Sequence, residues 1–447
     1  MTTAGGHDRG VEISSAQAKR VEAWYTLAVL SAVYLVAYLD RSLLSLLVQP
    51  IQADLHLSDG QIGLLQGFAF VILYGVLGYP IGRLADRHSR RLIVAFCLAL
   101  WSLMTCASGL ASGFTMLFLA RVGVGIGEAG LNPCAYSLLA DLFPRKRLAR
   151  ALAIYGVGAM LGSAVAFACG GAVVQWLEAR GNAELWLIGT VRPWQMAFFL
   201  VSFPGILLLF IMPTVHEPRV GRVAVDAAGI GEFARFLGSA RASLGLLTGA
   251  TGLLLVVFYG FLSWIPTMLV RTHGLSVGQA GLAMGVVLGS FGLAGYLSGG
   301  WLCDRWAAQG RSDAHMRVGS ISTLGLAPFG LLATLPSNTA LSLIGISGLF
   351  FLVNFPSASA VAGLQFIAPA RYRGQTTALF VLLVNLMGGG GGALLVGALT
   401  DHVFASKADL NLSLAVVAIV VGPLTAITYR GAMGPFARQS ERLRRET

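Results

Sequence analysis

The stretch FLARVGVGIGEAGLNP, residues 118–133, decides which kind of fold this chain adopts. Its glycines spell G-x-G-x-x-G, the pattern of a dinucleotide-binding loop, which requires a preceding β-strand in a soluble βαβ unit. Here the pattern lies inside a long apolar run that carries two charges, Arg121 and Glu128. We therefore interpret the glycines as positions at which membrane helices pack closely.

The whole chain has the composition of a polytopic membrane protein. Of its 447 residues, 56% are hydrophobic and only 11% are charged, whereas soluble domains carry about 25% charged residues. We predict an all-α fold with twelve transmembrane helices. The predicted spans begin near residues 24, 60, 92, 114, 151, 194, 244, 278, 318, 340, 375 and 410.

The excess of basic residues follows the predicted membrane topology. Of the 31 Lys and Arg residues, 25 lie in tails and loops on the side where both termini fall. The opposite loops hold only Arg180, Arg192, Arg271 and Lys407. Because basic residues concentrate in cytoplasmic loops, we predict a multi-pass protein of the inner (plasma) membrane with both termini in the cytoplasm. The same distribution argues against a nucleic-acid partner.

The chain repeats itself at a constant offset of 218 residues. LSDGQIGLLQG at 57–67 returns as LSVGQAGLAMG at 275–285, and GRLADR at 82–87 returns as GWLCDR at 300–305. Both longer copies contain Ser-x-x-Gln, at Ser58 and Ser276, which is a capping box that starts a helix. Parallel repeats of this kind place a substrate site between two six-helix halves. The predicted units are a cytoplasmic N-tail (1–23), a six-helix bundle (24–213), a linker with an amphipathic helix (214–243), a second bundle (244–430) and a cytoplasmic C-tail (431–447).

Four charged residues fall within the predicted spans: Asp40, Arg41, Arg121 and Glu128. Each costs about 2.5–3.5 kcal/mol at the centre of a membrane helix, so we expect them to meet around an aqueous cavity. Asp40 and Glu128 are the candidates for reversible protonation, because all seven histidines lie in tails or loops and arginine stays charged. The alternative is a buried ionic network that only joins span 1 to span 4.

The loop sequence GRLADRHSRR at 82–91 is similar to the signature of the major facilitator superfamily, which Gly82, Asp86, Arg87, Arg90 and Arg91 match. The second half keeps Gly300, Asp304 and Arg305. Three further stretches most resemble the spinster family of lipid transporters within that superfamily. They are YLDRSLLSLLVQPIQADLHLSDGQIGLLQ at 38–66, RVGVGIGEAG at 121–130 and FLSWIPTMLVR at 261–271.

The resemblance implies an alternating-access transporter of amphiphilic lipids, such as lysophospholipids or sphingosine phosphates. It implies proton coupling through Asp40 and Glu128, with Arg41 and Arg121 meeting an anionic headgroup. Arg121 offers a planar fork suited to phosphate or carboxylate. The matched loop residues are gating candidates, and Asp86 beside its basic neighbours is expected to latch the two halves on the cytoplasmic face. The alternative reading of that cluster is a determinant of topology.

Aromatic and amide residues complete the expected substrate site. Tyr34 and Tyr38 share a helical face with Arg41, and the second half offers Tyr259, Trp264, Asn354 and Asn385. A cavity charged on one wall and apolar on the other suits a headgroup with a tail. The alternative is that these aromatics only pack helices or face lipid.

Three other functions are weighed against lipid transport. A superfamily transporter of small organic anions is the main alternative. A membrane-embedded enzyme needs a nucleophile or a metal cluster, and the five cysteines show no metal or disulfide spacing. A passive channel is disfavoured by the internal repeat. We therefore predict a transporter rather than an enzyme, without a cofactor or a metal. It is predicted to be a monomer in the lipid membrane that transports an amphiphilic substrate coupled to protons.

Overall fold

The computed structural model describes residues 5–85, 88–186, 188–218, 230–311 and 313–446. The elements of the first half are α1 (Gly5–Leu46), α2 (Val48–Leu55), α3 (Asp59–Gly63), α4 (Ala69–Ala85), α5 (Arg90–Gly109), α6 (Phe114–Glu128), α7 (Leu131–Leu142), α8 (Arg145–Arg180), β1 (Ala183–Leu185), β2 (Gly189–Val191) and α9 (Pro193–Ile211). β1 and β2 form an antiparallel hairpin that pairs Glu184 with Thr190.

The second half begins with a short helix that precedes its six spans. Its helices are α10 (Ile230–Ser239), α11 (Arg241–His273), α12 (Val277–Val287), α13 (Leu293–Ala308), α14 (Ala314–Thr323), α15 (Leu326–Thr334), α16 (Thr339–Asn354), α17 (Ser357–Ile367), α18 (Arg373–Asn385), α19 (Gly391–Leu399) and α20 (Leu410–Glu446). π-Helical turns lie at Leu64–Phe68, Leu288–Gly292, Leu386–Gly390 and Thr400–Phe404, and 3-10 turns at Met212–Thr214, Ala370–Tyr372 and Lys407–Asp409.

The predicted all-α membrane architecture is confirmed. Within the described residues, 11 segments are long and apolar enough to cross a membrane, and α16 is a shorter apolar helix. In sequence order the twelve segments begin close to the predicted starts, and we number them spans 1 to 12. Spans 2, 4, 8, 9 and 11 are each built from two α-helices. We call the face that carries the basic loops the basic face, and the opposite one the far face.

The glycines of residues 118–133 are packing positions, as predicted. A Cβ at Gly127 would lie 2.7 Å from Cβ of Trp101 in span 3. A Cβ at Gly125 would collide with the carbonyl oxygen of Phe70 in span 2. The backbone of span 4 therefore packs closely against spans 2 and 3. This contact fixes where Arg121 and Glu128 lie relative to those two spans.

Both predicted capping boxes form. Ser58 accepts a hydrogen bond from the backbone N–H of Gln61, whose side chain accepts one from the N–H of Ser58. Ser276 and Gln279 repeat this arrangement at the start of span 8. The repeat in the sequence is thus a repeat in local structure.

The buried apolar residues show how the halves meet. One core cluster, which includes Leu47, Leu65 and Trp264, joins both halves at the far face. Toward the basic face the core divides into a cluster within the first half, around Trp101, and two within the second half, a larger one around Tyr429 and a smaller one that includes Cys303. The halves are therefore packed together at the far face and lie apart toward the basic face.

The linker contains the predicted helix. In α10, Phe236 stacks on Tyr372 of the second half with ring centroids 5.1 Å apart. Glu232 forms an ion pair with Arg371, with 3.4 Å between Oε2 and Nη1. The part of the predicted linker at 219–229 lies outside the described residues.

Candidate functional site

A cavity of about 430 Å³ lies between the two halves. Its lining includes Leu65 and Leu288 of the shared far-face core, and Tyr74 and Tyr296. Its volume falls within the range of small-molecule sites, about 300–1,000 Å³. The predicted site residues that line it are Tyr34, Tyr38, Arg41, Arg121, Tyr259, Asn354 and Asn385.

The four charged residues within the membrane pair crosswise between span 1 and span 4. Asp40 Oδ1 accepts a hydrogen bond of 3.0 Å from Arg121 Nη2, and Asp40 Oδ2 accepts one from the hydroxyl of Thr105. Glu128 Oε2 accepts from Arg41, with 2.7 Å to Nε and a closer contact to Nη2. Each charge is thereby neutralised by a partner on the other span, which lowers the cost of burying it.

The two ion pairs differ in their access to the cavity. The side chain of Arg41 is 23% exposed, whereas that of Arg121 is 4% exposed and also donates to the hydroxyl of Ser108. Glu128 is buried behind Arg41, and its Oε1 has no hydrogen-bond partner among the described residues. Arg41 is therefore the cation that a ligand in the cavity meets first.

Aromatic rings surround the Arg41 guanidinium. Its carbon lies 4.4 Å from the ring centroid of Phe70, 5.2 Å from that of Tyr38 and 5.3 Å from that of Tyr74. Tyr34 packs edge-on against Tyr38, with ring centroids 5.2 Å apart. These contacts hold the cation at the cavity wall while part of it stays accessible.

The described residues of the second half that line the cavity carry no charge. Tyr259 packs edge-on against Phe258, with ring centroids 5.1 Å apart. Asn354 and Asn385 each donate one hydrogen bond of 2.8 Å to the carbonyl oxygen four residues earlier, which leaves their amide oxygens for a ligand.

The structure corrects the position expected for Trp264. Its side chain is fully buried and does not line the cavity. Its indole N–H donates to the carbonyl oxygen of Ala393, 2.9 Å away in span 11. A large ring anchored in this way stabilises the contact between spans 7 and 11 rather than touching a ligand.

The signature loop lies at the basic face. Arg90 bonds Asp141 of the first half and Glu217 of the linker, and Arg91 donates to the carbonyl oxygen of Pro213. Burial acts to raise the pKa of Glu217, but hydrogen bonds from Ser89 and Arg90 outweigh it and lower that pKa. In this conformation Arg90 and Arg91 therefore bind the first half and the start of the linker.

The remaining gating candidates have varied surroundings. Asp86 and Arg87 lie outside the described residues, so the expected latch through Asp86 stays a prediction. Gly82 is partly buried, and a Cβ added to it would lie 3.8 Å from Cβ of Pro133. Asp304 and Arg305 are exposed, and Arg305 lies over the ring of Trp301.

A network across the two halves at the far face was not predicted. The guanidinium of Arg271 donates to both carboxylate oxygens of Asp59, at 2.9 Å each, and to Oε1 of Gln52 at 2.6 Å. Arg271 belongs to the second half, whereas Asp59 and Gln52 belong to the first. These bonds therefore tie span 7 to the start of span 2.

Two further residues of the second half join this network. Asp401 accepts a hydrogen bond of 2.6 Å from the N–H of Gly60, and Lys407 Nζ donates one of 3.2 Å to the carbonyl oxygen of Leu57. We call these contacts, together with those of Arg271, the far-face latch. Its signal in the sequence is that Arg271 and Lys407 are two of the four basic residues in far-face loops.

Several polar cavity residues were also missed. Asn132 accepts a hydrogen bond of 3.0 Å from the hydroxyl of Tyr155 and donates one of 3.2 Å to that of Tyr74. Gln66 lines the cavity from the π-helical turn Leu64–Phe68. Uncharged polar residues are common in membrane helices, so the sequence alone does not single these out.

Comparisons with known proteins agree with this architecture. Residues 30–393 match a family described as the Major Facilitator Superfamily. An MFS-type efflux pump of Mycolicibacterium smegmatis is 30% identical over 384 residues, 85% of each chain. A probable L-galactonate transporter of Escherichia coli is 29% identical over 316 residues, 67% of this chain and 65% of that protein.

A solved structure is similar over almost the whole chain. It is a bacterial homologue of the human lysosomal transporter spinster, in an inward-facing and unoccupied conformation. The identity is 26% and the TM-score 0.77, and the match covers 94% of this chain and 97% of the other. The resemblance to the spinster family is thus found in structure as well as in sequence.

Proposed function

The chain belongs to the major facilitator superfamily and resembles its spinster family, and we propose that it moves amphiphilic anionic or zwitterionic lipids in exchange or symport with protons. It is a secondary transporter rather than an enzyme. The substrates proposed are of the lysophospholipid or sphingosine-phosphate kind. The observation that carries the proposal is the partly exposed Arg41 on one wall of a cavity whose other wall is uncharged.

The two walls suit the two ends of an amphiphile. Arg41 presents a guanidinium, which binds phosphate or carboxylate through a planar fork of donors. Opposite it, the second half presents Phe258, Leu262 and Leu288. A tail that packs on these side chains gains about 25 cal/mol for each Å² of apolar surface removed from water.

Proton coupling is proposed to run through the two crosswise ion pairs. A proton on Glu128 removes the charge that holds Arg41, so Arg41 becomes free to bind an anionic group instead. Oε1 of Glu128, which lacks a partner among the described residues, is where such a proton can sit. Asp40 and Arg121 form the second pair, which hydrogen bonds with Thr105 and Ser108 extend.

Alternating access is supported by the distribution of contacts. The far-face latch and the shared core hold the halves together at one face, whereas toward the other face each half has its own core clusters. The basic face is proposed to be cytoplasmic, because basic loops concentrate on that side. The conformation is then inward-facing, as in the bacterial spinster homologue.

Transport of small organic anions is the second candidate. Arg41, Asn354 and Asn385 offer charge and hydrogen bonds that also suit a sugar acid, and one relative is described as a probable L-galactonate transporter. The apolar side chains of the second wall, Phe258, Leu262 and Leu288, favour the lipid, because a polyhydroxylated acid gains little from them.

Reconstituted transport separates the two candidates. The purified protein is placed in liposomes, and uptake of a fluorescent lysophospholipid is compared with uptake of radiolabelled galactonate. The proposal predicts saturable uptake of the lysophospholipid, and an excess of galactonate leaves that uptake unchanged. Uptake of galactonate alone would contradict the lipid proposal and establish the second candidate.

A further inference from the structure

Gln66 is a partly buried residue whose side-chain amide is unpaired. It lines the cavity, yet its Nε2 and Oε1 atoms are both buried without a hydrogen-bond partner among the described residues. An amide that has lost water and gained no partner destabilises a folded protein. A side chain kept in that condition beside a cavity points to a partner that arrives with the ligand.

The backbone that carries Gln66 is held firmly. Gln66 lies in the π-helical turn Leu64–Phe68, a feature that is frequent at functional sites. A Cβ at the next residue, Gly67, would lie 2.6 Å from the carbonyl oxygen of Gly389 and 2.7 Å from that of Gly390 in span 11. The amide therefore finds a partner by rotation of its own side chain into the cavity, not by movement of the helix.

Gln66 is also close to the cation of the site along the helix. It lies four residues before Phe70, which is close to one turn of either an α-helix or a π-helix, so the two side chains project from similar faces. Phe70 contacts the Arg41 guanidinium, and all three residues line the cavity. A ligand whose anionic group binds Arg41 thus has its adjoining atoms near Gln66.

We propose that Gln66 determines substrate specificity by binding a substrate hydroxyl next to the anionic group held by Arg41. The inference rests on the proposed function and adds the chemistry of the ligand. An amide both donates and accepts hydrogen bonds, as a hydroxyl does, whereas phosphate and carboxylate only accept. Lysophospholipids and sugar acids both carry a hydroxyl close to their anionic group. A site built to bind a hydroxyl rejects the analogue that lacks it, because its own polar group is then left unpaired.

Binding in nanodiscs tests this with a lysophospholipid that carries a free glycerol hydroxyl and with its deoxy analogue. Wild type should bind the hydroxyl probe about tenfold more tightly, which is about 1.4 kcal/mol. Gln66→Leu should bind both probes equally. The control is Gln49→Leu, the same change beside a separate small cavity, and it should discriminate as wild type does. Discrimination retained in Gln66→Leu overturns the proposal.

A second readout does not depend on the probe. Without ligand, Gln66→Leu should unfold at the same temperature as wild type or at a higher one, because it removes an unpaired amide. A lower unfolding temperature would mean that the amide has a structural partner, and would overturn the proposal. If wild type binds neither the lysophospholipid nor galactonate, the proposed function fails. The unfolding temperature without ligand then still shows whether the Gln66 amide has a partner within the protein.

Discussion

At the scale of single residues, the two arginines of the buried ion pairs are expected to have different roles. Arg41 is partly exposed in the cavity, whereas Arg121 is buried between Asp40 and Ser108. We predict that Arg41→Lys weakens binding of an anionic lysophospholipid about tenfold, since lysine lacks the planar fork and hydrogen bonds to charged groups contribute about 1.5–3 kcal/mol.

Arg121→Lys serves as the matched comparison for Arg41→Lys. Arg121→Lys should lower the unfolding temperature and should weaken ligand binding less than Arg41→Lys does, because the hydrogen bonds of Arg121 are made within the protein. Ligand titrations and thermal unfolding of both variants check this. If Arg41→Lys kept wild-type affinity and Arg121→Lys bound more weakly, Arg121 rather than Arg41 would be the residue that binds the anionic headgroup.

Residue identities were partly predictable. Asp40, Arg41, Arg121 and Glu128 stand out because a charge in an apolar span is costly. Their crosswise pairing was not predictable, since it depends on how span 1 is rotated against span 4. Trp264 was assigned to the cavity because it is an aromatic residue of a span expected to face the first half, but its type does not show which face of that span it occupies.

At the scale of helices, spans 2 and 11 pack backbone to backbone at Gly67. A methyl group there meets two carbonyl oxygens of span 11 at under 3 Å. We predict that Gly67→Ala favours conformers in which the far face opens, since overpacking costs about 1–3 kcal/mol. Spin labels at the exposed positions Ala53 and Ser337 should then report longer distances.

Gly245→Ala provides the control, because a Cβ at Gly245 has no neighbour within 4 Å among the described residues. It should leave the distance distribution as in wild type. An equal effect of both substitutions, or none at Gly67, would show that this contact does not limit opening.

Helices were the most predictable level of the structure. Hydropathy located the twelve spans, and Ser58 and Ser276 marked two helix starts, because both signals are local in sequence. The π-helical turns were not predicted, since they arise where one helix adapts to another. The turn at Leu64–Phe68 faces the turn at Leu386–Gly390 across the boundary of the halves.

At the scale of the whole molecule, the far-face latch is expected to set the balance between conformations. Arg271 bonds Asp59 and Gln52 of the other half, so these bonds exist only while the far face is closed. We predict that Arg271→Gln raises the population of far-open conformers about tenfold or more, because each charged hydrogen bond contributes about 1.5–3 kcal/mol. The distance between spin labels at His88 and Gln309 on the basic face should then become shorter, while the distance between the far-face labels at Ala53 and Ser337 becomes longer.

Arg317→Gln is the control for the latch, since it breaks an Arg–Asp pair within one half. Its distances should match those of wild type on both faces. A latch variant that behaves like this control would mean that the shared apolar core alone keeps the far face closed.

Proton-coupled transport through the buried ion pairs is tested by lysophospholipid uptake into proteoliposomes with and without an imposed pH gradient. Wild type and the double variant Asp40→Asn with Glu128→Gln are compared at equal reconstitution. We predict that the gradient changes the rate and final level of uptake in wild type and has no effect in the double variant. A wild type that ignores the gradient, or a double variant that responds as wild type does, would contradict proton coupling at these residues.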